Sequence, residues 1–98
     1  MPFFIKTEII KKEFTSNSKL KKKFINKHIL WIKELKKAGV NIKSGFLVNE
    51  INEPGAGGLL IIEVKTYKDA LNIILEDPMI KNKIVEWKLS EWIDISTV

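Results

Sequence analysis

The chain contains one histidine, His28, and no cysteine. Imidazole is the side chain best suited to taking up and releasing protons near neutral pH, so His28 is the first candidate for acid–base chemistry. Its setting also fits a plainer role. It lies near the centre of an apolar stripe, where a lone histidine can be a core residue with both ring nitrogens hydrogen-bonded. The second candidate is Asp77, which Pro78 releases from regular helix. An Asp before Pro also commonly shapes a turn by accepting from nearby backbone. Without cysteine, disulfides, thiolate–metal sites and cysteine nucleophiles are excluded. A single histidine among scattered carboxylates gives no recognisable metal-ligand spacing, so no metal is expected. Gly55, Gly57 and Gly58 lack the Gly-Lys-Ser/Thr and the following helix of a phosphate loop, and read as hairpin glycines.

These residues must be positioned by a chain of 98 residues, which is expected to form one domain over 1–98. A domain of this size buries only roughly 60 to 65% of its unfolded surface, so self-association would add useful burial. Hydrophobic residues make up 45% and charged residues 30%, a composition that folds rather than stays disordered. The longest apolar runs, such as Leu59-Leu60-Ile61-Ile62, fall far short of the roughly 18 residues that span a bilayer. Met1-Pro2-Phe3-Phe4-Ile5-Lys6 lacks the features of a signal peptide. A cytoplasmic address without membrane attachment is therefore expected. The net charge of +5 raises nucleic-acid binding. All 17 basic residues are Lys, however, and arginine supplies the bidentate contacts that recognition of phosphate and bases favours. That argues against a nucleic-acid partner.

Along the chain, Phe3, Ile5, Thr7 and Ile9 alternate with Phe4, Lys6, Glu8 and Ile10, predicting a first strand within residues 3–14. Thr15-Ser16-Asn17-Ser18 supplies N-cap residues for a helix. In that helix Leu20, Phe24, His28, Trp31, Ile32 and Leu35 share one face, and Gly39 closes it. A second strand is predicted over 40–51, a turn at Asn52–Gly57, and a third, near-continuously apolar strand over 58–64. Thr66-Tyr67-Lys68-Asp69 resembles a capping box for a second helix, which stops near Asp77 because of Pro78. Met79 to Lys83 reads as a connection. A last strand carries Val85, Trp87 and Leu89, with Glu91 to Val98 continuing or trailing it.

The order is βαββαβ, an α+β ferredoxin-like arrangement with two helices on one face of a four-stranded antiparallel sheet. The other face is half apolar, which suits a homodimer in which two sheets pack together.

Several features in this order resemble the YciI-like (YCII-related) family over about 3–93. They are His28 with Trp31 and Leu35, Gly39, Ser44-Gly45, Gly57-Gly58-Leu59, Tyr67-Lys68-Asp69-Ala70, Asp77-Pro78-Met79, and Glu91-Trp92. The resemblance implies a dimeric α+β barrel and an active-site pair that falls on His28 and Asp77. The family is related to muconolactone isomerases, and one branch is a dehydrochlorinase of chlorinated hydroxyhydroquinones. Two positions depart from the pattern: Phe46 follows Gly45 where the family usually has Pro, and Met79 stands where it usually has Phe.

On this basis the chain is expected to be a small cofactor-free enzyme of lyase or isomerase type, acting on a small molecule of aromatic or lactone-like character. His28 would serve as general acid/base, oriented by Asp77. Trp31, on the same helix face as His28, would form a wall of the substrate site, with Ser44, Gly45 and Met79 as further binding residues. The alternative is a non-catalytic dimeric module that binds a small ligand or a protein through the same pocket.

Overall fold

The computed structural model describes residues 1–96. Thr97 and Val98, the end of the segment expected to continue or trail the last strand, lie outside the described residues. The elements are β1 (Phe3–Ile10), α1 (Ser18–Lys37), β2 (Asn41–Val48), β3 (Pro54–Glu63), α2 (Tyr67–Ile74), α3 (Pro78–Lys81) and β4 (Val85–Trp92).

Each boundary has a local cause. Asn17 caps α1 by accepting from Leu20 N–H at 3.0 Å, satisfying one of the free donors of the first turn. The helix ends at Gly39, whose φ of +90° suits glycine. Thr66 caps α2 by accepting from Asp69 N–H at 3.1 Å.

The strands differ from expectation at their ends. β1 stops at Ile10, and Lys12–Phe14 forms a 3-10 turn instead of prolonging it. β2 ends at Val48, beyond an irregularity between Phe46 and Val48. β3 begins earlier than expected, at Pro54, so the glycines lie within the strand. The expected connection after Asp77 is a short helix. Asp77 accepts from Met79 N–H at 2.9 Å as its N-cap, and Pro78 occupies the first turn, where its missing N–H costs nothing.

The sheet order is β2-β3-β1-β4, with every pairing antiparallel. This is the ferredoxin-like α+β fold expected from the order of elements. Phe4, Ile42, Leu60, Ile62 and Leu89 from the sheet pack with Ile32 of α1 and with Ala70 and Ile74 of α2. A second cluster, Phe24, Met79, Ile84 and Val85, seats α3 between α1 and β4. Each fully buried Leu, Ile or Phe here contributes about 1.5 to 3 kcal/mol relative to exposure.

Cross-strand register sets which residues share the helix-covered face. Ile42, Ile62 and Phe4 form one row; Ser44, Leu60, Lys6 and Leu89 form the next; Phe46, Gly58, Glu8 and Trp87 form a third. The uncovered face carries Phe3, Ile5, Leu59 and Ile61, all half-buried, with exposed Ile9 and Trp92. Among the described residues no helix is long and apolar enough to cross a membrane.

Candidate active site

β1 places a lysine where an apolar residue would be expected. Strand alternation turns Phe4, Lys6, Glu8 and Ile10 toward the helices, and Lys6 is only 1% exposed. A buried ammonium is tolerated only when paired and hydrogen-bonded. Lys6 Nζ donates to Asp77 Oδ2 at 2.8 Å and also to Glu8 Oε1. Two carboxylates thus bracket one cation.

Asp77 reaches this point because it caps α3. Its side chain is fully buried. Oδ2 accepts from Lys6, while Oδ1 accepts from Met79 N–H and lies 2.9 Å from His28 Nδ1. Burial by itself pushes the Asp77 carboxyl up. The hydrogen bond from His28, the Lys6 charge, the His28 charge and the Lys6 hydrogen bond together outweigh burial and hold it below the usual carboxylate range.

An ionised carboxylate only accepts, so Nδ1 of His28 carries the proton that joins it to Asp77. In the neutral ring Nε2 is then the basic nitrogen. It lies 2.7 Å from Ser44 Oγ, which donates to it. Ser44 is exposed, whereas the His28 side chain retains 14% exposure. The basic nitrogen is therefore the one that meets the exposed Ser44, and the ring's orientation is fixed from the other side through Asp77 to Lys6.

Glycines in β3 make room for this arrangement. A Cβ at Gly58 would sit 3.1 Å from Glu8 Cγ, and one at Gly57 would sit 2.4 Å from the Glu8 carbonyl oxygen. Glu8 can thus lie across β3 and reach Lys6. These residues do more than turn the hairpin.

The residues singled out in the sequence divide into two groups. His28, Asp77 and Ser44 form one hydrogen-bonded chain, and Trp31 stands beside it with its ring tilted against His28 at 5.5 Å. Gly45 and Met79 do not join as side-chain contacts. Alternation assigns Gly45 to the uncovered face, opposite Leu59. Met79 is 3% exposed within the second core cluster, so its thioether has almost no surface to offer a ligand, and only its N–H takes part. Lys6 and Glu8 were not anticipated, although both stand in phase with Phe4 and Ile10 in the strand pattern. Among the described residues no group of three or more His, Cys, Asp or Glu side chains converges to hold a metal.

No family model matches the chain, and no curated protein does. Among the solved structures that share its architecture, two are of quite different origin. One is the 5-chloro-2-hydroxyhydroquinone dehydrochlorinase TftG from Burkholderia phenoliruptrix AC1100 in complex with 2,5-dihydroxybenzoquinone. It is similar at a TM-score of 0.71 and 14% identity, over 97% of each chain. The other is the de novo designed protein Ferredog-Diesel, with a TM-score of 0.59 and 17% identity, over 92% of this chain and 84% of that one. Identities this low speak to the fold alone. One and the same architecture serves an enzyme and a designed protein, so function has to be argued from the site.

Proposed function

We propose that the chain is a YciI-like, cofactor-free enzyme of lyase or isomerase type, formed as one cytoplasmic domain over residues 1–98, in which His28 moves a proton. The observation that carries this reading is the asymmetric setting of the imidazole. Nδ1 is bound to a fully buried carboxylate, and Nε2 faces an exposed hydroxyl. Fixing the tautomer in this way makes Nε2 a general base for a proton on carbon or oxygen. Asp77 and Lys6 position the ring and touch no substrate themselves.

The substrate class to test first is a small hydroxylated aromatic. The fold similarity to a dehydrochlorinase of a chlorinated hydroxyhydroquinone supports that choice at a coarse level. In such a reaction His28 would take a hydroxyl proton as a proton is delivered to the chlorine-bearing carbon, giving a dienone; chloride then leaves that carbon as a second hydroxyl gives up its proton, yielding a hydroxyquinone for a net loss of HCl. Chloride release from 5-chloro-2-hydroxyhydroquinone is the assay. His28→Ala is expected to lower turnover by roughly 100-fold or more while circular dichroism stays unchanged. Equal rates for wild type and His28→Ala would overturn the reading.

The second reading is a non-catalytic dimeric module that binds a small ligand or a protein through the same pocket, and the open sheet face bears on the dimer in both. Phe3, Ile5, Leu59 and Ile61 are half-buried on the sheet face that the described helices do not cover. Under either reading a second copy covers this face as a homodimer. Light scattering at micromolar concentration is expected to give twice the chain mass, and a monomer would remove the dimer. Binding of 2,5-dihydroxybenzoquinone with no proton exchange at any position would favour the module.

A further inference from the structure

Ser44 does more than fill the space beside His28. Its Oγ lies 2.7 Å from Nε2, while Nδ1 is held 2.9 Å from Asp77. A hydroxyl, an imidazole and a buried carboxylate in hydrogen-bonded series form the arrangement that activates serine for attack on carbonyl carbon, whatever the surrounding fold. We propose that Ser44 is a nucleophile and that the site catalyses acyl transfer from small aryl esters to water. This rests on the reading of His28 as a base oriented by Asp77, and adds to it a covalent step and a second substrate class.

Three further observations support the assignment. Ser44 is exposed, so an ester can approach the oxygen. It lies on β2, the outer strand of the sheet, where every second N–H points away from β3 and is available to an oxyanion. Phe46 follows two residues later on the same strand face and is 71% exposed, offering a surface for an aryl leaving group.

The step balances without any co-reactant other than water. His28 Nε2 takes the Ser44 hydroxyl proton as Oγ bonds to the carbonyl carbon. The bond from that carbon to the aryloxy oxygen breaks, and His28 returns the proton to the departing phenol. Water, deprotonated by His28, then attacks the acyl carbon. The bond to Oγ breaks, and Ser44 regains its proton, leaving the free acid.

The experiment is reaction of the full chain with a fluorophosphonate probe, followed by peptide mass mapping. One adduct per chain on Ser44 is expected, with the labelling rate falling by roughly 100-fold in His28→Gln. Absence of an adduct on Ser44, or labelling that ignores His28, would overturn the proposal. Ser44→Cys provides a second measurement, because the chain otherwise contains no cysteine. Its thiol is expected to react with iodoacetamide faster than in Ser44→Cys/His28→Gln, and equal rates would count against the proposal. The probe carries no chloride to eliminate, so the two readings fail separately. His28-dependent chloride release without a Ser44 adduct would remove the nucleophile alone. A Ser44 adduct without chloride release would remove only the lyase reading.

Discussion

On the helix-covered side of the sheet β1 contributes Phe4, Lys6, Glu8 and Ile10; on the open side it contributes Phe3, Ile5, Thr7 and Ile9. By hydrophobicity alone the second set belongs inside. The structure buries Phe4 and Lys6 of the first set at 1% exposure each and leaves Glu8 and Ile10 half-buried, whereas on the open side Ile9 is 55% exposed. Charge is buried beneath the helices, and apolar surface lies on the open face. The difference teaches that, under the proposed function, the covered face holds the candidate site at a cost in stability. A buried ion pair contributes little net stability relative to apolar residues of the same volume.

The most direct way to break this contrast is Lys6→Met, which leaves Asp77 and Glu8 facing each other without their cation. Loss of one partner of a buried pair costs about 3 to 5 kcal/mol. The midpoint of urea unfolding is expected to fall accordingly with little change in slope. A stability equal to wild type would mean that the cation is dispensable to the fold. Gly57→Ala comes next, because its Cβ would meet the Glu8 carbonyl at 2.4 Å and its φ is +96°. A loss of about 2 kcal/mol is expected in the same assay.

Acid unfolding sharpens the contrast further. The folded Asp77 carboxyl lies below its ordinary value, so its contribution is present in full above the unfolded value of about 3.9. It is lost as pH falls through the lower folded value, because the unfolded chain takes up the proton first. Stability should therefore drop on acidification below about pH 4, and Asp77→Asn should flatten that part of the profile. The smallest effect is expected on the open face. Ile9→Thr keeps a β-branched residue at an exposed position and should alter monomer stability by less than about 0.5 kcal/mol, while weakening the proposed homodimer in light scattering.

Much of the fold was legible because local chemistry and global topology agree. Asn17 and Thr66 cap the two long helices where their residue types suggest, and Gly39 closes α1. Asp77-Pro78 was half legible. It reads as a stop for α2, yet the same dipeptide is a cap followed by proline in the first turn, which starts α3. The four-residue helix lacks the length over which hydrophobic periodicity can be recognised. The pairing of His28 with Asp77 entered through family resemblance, since 49 positions separate them and no spacing rule joins them. Lys6 and Glu8 were not legible as site residues. Alternation gives a strand two faces without saying which is inward, and only the arrival of Asp77 makes a lysine acceptable in the core.

β1 is an inner strand of the sheet, flanked by β3 and β4, both encoded later. During synthesis the segment Phe3–Ile10 must remain soluble with both edges open until its neighbours arrive. Its two charges interrupt what would otherwise be an apolar, β-branched run of the kind that stacks into fibrils. Lys6 and Glu8 are therefore expected to act as gatekeepers in the nascent chain before Lys6 pairs with Glu8 and Asp77. A peptide spanning residues 3–10 with Lys6→Ile and Glu8→Val should form thioflavin-positive aggregates faster than the native segment; equal rates would deny the charges that earlier role.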